Sequence, residues 1–195
     1  MTDLDAANRA LVMIGVEPIG SLSDRNKAAR VMNGLLPETK KAVLNEFPWD
    51  YALRIEPLVA KSGVTIKGYT NVFQFPADAL SVQRVYGNDG FKGTVDYRIV
   101  GGNIGANISS GTVEYVAWVE NINDWPRHVQ ECLVTRLASD AAVSLTGDGD
   151  LMQAMLQKYM TLASHAAEIS VTEENVASMR KAEYNRPSSY VEARQ

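Results

Sequence analysis

The sequence predicts an α+β protein: a helical bundle built from both chain ends, an inserted small antiparallel β meander and an extended C-terminal arm. Three observations predict it. Apolar residues recur at helical spacing in two stretches near each end, and the middle of the chain breaks into short β-branched and aromatic segments punctuated by Gly, Pro, Asn and Asp. After Met179 the apolar periodicity stops. The boundaries that follow are 1–48 and 120–180 for the helical part, 49–119 for the β-rich insertion and 181–195 for the arm.

The elements follow in chain order. Thr2 with Asp5 three places on makes a capping box, and Leu4, Ala7, Leu11 and Ile14 then mark a short amphipathic helix that stops at Gly15. Residues 15–23 form a loop. Ser21 with Asp24 offers a second capping box ahead of Ala29, Met32, Leu36, Val43 and Phe47, and Pro37 inside that pattern predicts a kink. Residues 51–60, 71–75, 80–86 and 95–100 read as strands, and Gly101-Gly102-Asn103 as the turn into Ile104, Ala106 and Ile108. In residues 112–119, Val113, Tyr115, Ala117 and Val119 lie on one face and Glu114, Val116 and Trp118 on the other. A strand apolar on both faces belongs in the centre of the sheet.

Asp124 can cap a helix with Pro126 in its first turn, and Val129, Leu133, Leu137, Ala141 and Leu145 recur every fourth residue along it. The break at residues 146–150 (TGDGD) leads to Met152, Met155, Tyr159, Leu162, Ala166 and Ile169, a pattern suited to a helical hairpin.

The chain's 195 residues suffice for one full core or two small ones. With 23 acidic against 19 basic side chains the net charge is -4, which argues against general coating of DNA. No apolar run approaches the roughly 18 to 20 residues that cross a bilayer, and the N-terminus lacks the pattern of a secretion signal, so a soluble cytoplasmic product with no membrane partner is expected. A single cysteine, Cys132, cannot form an internal disulfide, and its place on an apolar helix predicts a packed, unreactive thiol.

No catalytic, cofactor-binding or metal-binding set is predicted. His128 and His165 lie in different helices without ligand-patterned neighbours. Asp148-Gly149-Asp150 reads as a turn and helix cap rather than a calcium loop, and residues 101–105 lack the Lys-Ser/Thr of a phosphate loop. The cluster Phe47-Pro48-Trp49-Asp50-Tyr51 reads as packing between layers, since a base-stacking platform would need more cations than Arg54 beside it. The arm carries Tyr184, Arg186, Pro187, Tyr190 and Arg194, residue types that anchor interfaces.

In order and spacing, five stretches resemble a known family. They are ALVMIGVEPIGSLSD (residues 10–24), VLNEFPWDYA (43–52), FPADAL (75–80), VEYVA (113–117) and the apolar helix within 125–145. Together they resemble the tail tubular protein A and head-to-tail adaptor family of bacteriophages, over about residues 4 to 176. The resemblance implies a structural virion protein, assembled in the host cytoplasm and located at the neck between capsid and tail. There it would form a homo-oligomeric ring, commonly twelvefold, beneath the portal and continue the DNA channel into the tail. The implied partners are further copies of the chain, the portal protein and the next tail component, a tail tube or nozzle protein. Genomic DNA would pass through the lumen without sequence-specific binding, and a net negative wall suits that passage. Tyr184, Arg186, Pro187, Tyr190 and Arg194 are the expected portal-docking residues. Asn88 and Asp89, with Gly101, Gly102 and Asn103, are the expected tail-facing hairpin tips. The alternative is a DNA-binding packaging factor of small-terminase type, using Arg25, Lys27, Arg30, Lys40 and Lys41 on the second helix. A hydrolase has no candidate residues.

Overall fold

A computed structural model describes residues 1–88 and 93–184, with backbone alone for 171–184. It is α+β, with four α-helices and two small antiparallel sheets of three strands each.

Helix α1 (Asp3–Met13) begins with the expected capping box, Thr2 and Asp5 bonding each other's backbone N–H, and buries Ala6, Ala7, Ala10 and Leu11. Helix α2 (Lys27–Glu46) starts later than expected. Its cap is Asn26, whose Oδ1 accepts the Ala29 N–H at 2.7 Å, while Asp24 turns back to accept the Ser21 N–H at 3.0 Å and closes the preceding loop. The helix runs unbroken through Pro37. Pro37 and Asn33 one turn before it are both exposed, so the carbonyl that loses its partner faces solvent.

Asp124 does not cap α3 (Arg127–Thr146). It ends a 3-10 turn (Ile122–Asp124), and the helix enters from Pro126, whose fixed φ of -56° aims the chain without a side-chain cap. Gln130 secures that entry by donating to the Ile122 and Trp125 carbonyls, both at 2.9 Å. Gly147, at φ +75°, closes α3 in the left-handed conformation. Asp148 then caps α4 (Gly149–Tyr184) by accepting the Leu151 N–H at 2.9 Å, as read from TGDGD. Helix α3 packs against α1, α2 and α4, which explains why it is buried around most of its circumference.

The strands are β1 (Leu53–Pro57), β2 (Asn71–Gln74), β3 (Ala79–Gly87), β4 (Tyr97–Val100), β5 (Asn103–Ala106) and β6 (Gly111–Ala117). They are not a meander. One sheet has the order β1-β6-β3, the other β2-β5-β4. The central place expected for residues 112–119 is correct for β6, and its partners are the distant β1 and β3. Burial decides this order. Val116 points into a core shared with all four helices, and Val113, Tyr115 and Ala117 point into a second core with Phe73, Val85, Ile104 and Ala106. A strand covered on both faces needs pairing on both edges, and β1 and β3 supply it.

Backbone bonds tie the sheets together at two edges. Beyond β1, the Gln74 and Lys61 N–H groups bond to the Val59 and Val72 carbonyls, both at 2.8 Å, so the chain that runs on from β1 goes on to pair with β2. Beyond β3, Val95 donates to the Val85 carbonyl at 2.8 Å. Residues 51 and 52, expected within the first strand, instead lie in a 3-10 turn (Asp50–Ala52) that carries the chain from helix to sheet.

Candidate functional site

The expected interface residues were placed on two hairpin tips and an arm. At the β4–β5 tip, Val100 pairs with Asn103 across Gly101 and Gly102, whose φ values of +57° and +68° define a two-residue turn that glycine adopts without strain. Gly101 and Gly102 are exposed and available to a partner. Asn103 is not. It is buried, and its Nδ2 donates to the Gly101 carbonyl at 2.9 Å, so it braces the turn instead of presenting a contact.

Asn88 is exposed at the end of β3 and forms a side-chain pair with Ser110, donating from Nδ2 at 2.6 Å and accepting at 2.9 Å. Ser110 lies beyond the far end of β5 from Gly101, so the structure does not bring the two tips together. Asp89 lies outside the described residues. Arg186, Pro187, Tyr190 and Arg194 also lie outside them. The backbone of residues 181–184, expected in the arm, forms the last turn of α4, because the helix outruns its apolar pattern.

The basic face of α2 is smaller than its sequence suggests. Lys40 is 4 % exposed and donates to both carboxylate oxygens of Asp3, at 2.7 and 2.9 Å, and to the Glu120 carbonyl at 3.0 Å. It fastens α1, α2 and the loop before α3. Lys41 pairs with Glu38 at 3.0 Å, which leaves Arg25, Lys27 and Arg30 as the exposed cations at the start of α2.

The aromatic cluster serves packing, as expected. Trp49 is 1 % exposed, donates from Nε1 to the Val43 carbonyl at 2.8 Å and meets Phe47 edge-on at 5.0 Å. Cys132 is fully buried, and burial pushes its thiol up to about 12. At pH 8 its thiolate fraction then falls roughly a thousandfold below that of a thiol with pKa ~8.5. Alkylation in the native protein should therefore be at least about a thousandfold slower than in denaturant. Native labelling at the denatured rate would show that the α3 packing is wrong. His128 is half-buried at the start of α3 and His165 is exposed on α4. Among the described residues no three potential metal ligands converge, and no helix is long and apolar enough to cross a membrane.

Two polar arrangements escaped sequence reading. Glu114 on β6 is only 8 % exposed, accepts the Tyr86 hydroxyl at 2.8 Å and pairs with Arg84 at 3.4 Å. It lines a crevice of about 360 Å³ between the Phe47-Pro48 turn, β1, β3 and Ser170 of α4. Its signal was available, since Glu114 is the one charged residue in 112–119. The second arrangement joins three helices. Tyr159 of α4 donates to Glu46 of α2, Arg136 of α3 lies 5.3 Å above the Tyr159 ring, and Asp140 accepts from both Arg136 and Thr39, at 3.1 and 3.0 Å. Charged groups satisfied in this way fix helix register.

Searches of protein-family models and of curated proteins found no match to the chain.

Proposed function

We propose that this chain is a non-enzymatic head-to-tail adaptor of a phage virion, assembling as a ring, twelvefold by its resemblance, between the portal and the next tail component. The observation that carries the reading is where the five resembling stretches meet. Leu11, Ile14 and Ile19 from the first, Val43, Trp49 and Ala52 from the second, Val116 from the fourth and Trp125, Val129, Leu133, Leu137 and Ala141 from the last lie in one hydrophobic core, with Leu80 from the third packed against it. Their spacing is thus the signature of one packed arrangement, and resemblance in such residues speaks for a shared fold. The role follows by that resemblance alone.

A ring closes through two different surfaces on each subunit. In this reading Tyr184, Arg186, Pro187, Tyr190 and Arg194 dock on the portal, and the exposed Gly101-Gly102 tip meets the tail. The acidic balance leaves the DNA mobile in the lumen. Burial of Lys40 weakens the small-terminase alternative, which relied on a continuous basic face.

Negative-stain electron microscopy of the protein mixed with the portal of the same genome tests the proposal. One extra tier on the portal ring is expected. Deleting residues 185–195 should remove that tier while shifting the thermal transition by less than about 2 °C, because the sequence carries no apolar periodicity after Met179. Absence of portal-bound density at micromolar protein overturns the adaptor role. DNA affinity that falls steeply with salt would then favour the packaging factor.

A further inference from the structure

The crevice beside the Phe47-Pro48 turn holds the buried Glu114 and is bordered by the half-exposed Ile55, and we propose that it receives an arginine side chain from another protein chain whose backbone pairs with Ile55. The proposal rests on the crevice and on β1 alone, and holds whether or not the chain is an adaptor.

A bulge in β3 builds the polar side of the crevice. Val82 pairs with Tyr115 and Arg84 with Glu114, so Gln83 is one residue in excess on β3. Val82 and Val85 both face the second core, and the extra residue turns both Gln83 and Arg84 to the opposite face, where they line the crevice with Glu114. The compensation of the Glu114 charge is thin. One partner is the neutral Tyr86 phenol, and the other, Arg84, stands 3.4 Å away with its side chain 59 % exposed, so water screens much of that cation. A carboxylate accepts about four hydrogen bonds, and two are made here. Gln83 donates from Nε2 to Ser81 Oγ at 3.0 Å and keeps its Oε1 as an acceptor. Asp50 lines the crevice too, so two carboxylates stand there against one cation, with Phe47, Pro48 and Leu53 as apolar wall. Such a lining favours a cation that loses its water at low cost, brings several donors and carries an apolar stem. A guanidinium meets all three needs, and its planar face also stacks on the rings of Phe47 and Pro48.

Backbone direction in β1 says that the arginine comes on a peptide. The Leu58 N–H bonds to the Gly111 carbonyl at 2.9 Å, so Glu56 and Arg54 also turn their backbone groups to β6, while Leu53, Ile55 and Pro57 turn theirs outward. Of these, the Leu53 N–H is taken by the Trp49 carbonyl at 3.0 Å, and Pro57 has none. Ile55 keeps an outward N–H and carbonyl that no backbone group among the described residues meets, and its side chain is 52 % exposed. The other outer edges differ. At that of β3, Val95 and the Tyr97 hydroxyl bond to the Val85 and Val82 carbonyls, and residues 59–61 cover that of β2. A residue paired antiparallel with Ile55 would lie two strand spacings, about 10 Å, from Glu114, and its side chain would share the face of Ile55 and Glu114. An arginine in that place lays its stem over the exposed Ile55 and brings its guanidinium to the carboxylate.

Titration of the isotope-labelled full chain with N-acetylated, C-amidated Ala-Arg-Ala, followed by heteronuclear NMR at the Ile55 backbone amide and the Gln83 side-chain amide, tests the proposal. Shifts at both that saturate by about 20 mM peptide are expected. The same peptide with neutral citrulline in place of arginine should bind at least about tenfold more weakly, and with lysine at least about threefold. Butylguanidine, which lacks the peptide backbone, should also bind at least about threefold more weakly. Glu114→Gln should weaken binding of the arginine peptide at least about tenfold. Ile55→Arg, at a half-exposed position, supplies the guanidinium from within the chain and should abolish binding, with the Leu137 amide of α3 reporting an unchanged core; should Glu114→Gln fail to fold, Ile55→Arg decides alone. Shifts that do not saturate, equal binding of the citrulline or lysine peptide, or undiminished binding to either folded variant overturns the proposal. Equal binding of butylguanidine overturns the peptide pairing and makes the crevice a site for small guanidinium compounds. Neither portal binding nor ring formation is read in this titration, so the adaptor proposal can fail separately.

Discussion

Trp49→Ala should unfold at a markedly lower temperature than the native chain, with a cost of about 4 kcal/mol and a fall of roughly 10 °C in Tm. The indole is fully enclosed at the joint between α2 and β1, where it touches the core shared by all four helices, and its Nε1 satisfies the Val43 carbonyl at 2.8 Å. Truncation removes the apolar area, leaves a cavity in a place where rigid elements cannot collapse, and strands a carbonyl. Trp49→Phe separates these contributions. It keeps most of the ring and loses the hydrogen bond, so a cost of about 1–2 kcal/mol is expected. Urea or thermal unfolding followed by circular dichroism measures both. A loss below about 1 kcal/mol for the alanine variant would contradict the packing described at this joint.

Gly111→Ala should be nearly as damaging for a different reason. A Cβ at this position would lie 2.1 Å from the Tyr86 carbonyl oxygen and 2.9 Å from Ile108 Cδ1. The first contact is with backbone, so the β3 end must move away from β6 where Gly87 pairs with Gly111. That movement also drags Tyr86 from Glu114, whose buried carboxylate relies on the phenol for its hydrogen bond. A cost of about 3 kcal/mol is expected. Gly149→Ala is the control, because a Cβ there meets nothing within 4 Å at the start of α4, and its effect should stay within about 0.5 kcal/mol. If both variants unfolded alike, the close approach of β3 and β6 would be disproved.

Much of this arrangement was legible in the residues. The face-by-face reading of 112–119 placed β6 centrally because a buried strand has to be apolar on both sides, and that constraint is written locally. The order of the strands is not local. Leu53 finds Val116 across more than sixty residues, and period-two alternation carries no label for its partner. The start of α2 was misplaced because Ser21 and Asn26 are both able to cap, and the bond from the Ser21 N–H to Asp24, expected of a capping box, closes the loop instead of opening the helix. Lys40 could have been seen. It falls between Leu36 and Val43 on the apolar stripe, and a cation there has to find an anion nearby, but its partner Asp3 belongs to another helix.

Of the interface residues, the Gly101-Gly102 turn was readable because its chemistry is confined to four residues. Asn103 was misread for the same reason. Its amide is as competent to brace the turn as to meet a partner, and composition does not separate the two.

Among the described residues the helical core runs from Ala6 to Ala166, whereas the second core ends at Ala117. On the ribosome these two parts therefore mature at different times. At about 5–20 residues per second, α1 and α2 would wait on the order of ten seconds for α3 to be synthesised and emerge, their apolar stripes meanwhile uncovered. The β core can close during that interval and would act as the platform on which β6 presents Val116 to the late-arriving helices. A chain stalled before α3 should thus protect the strands from protease and leave α1 and α2 open to cleavage and to holdase chaperones. Synthesis of many identical subunits from one message would set such half-built chains side by side, where premature association is a hazard that slower initiation or a bound chaperone would relieve.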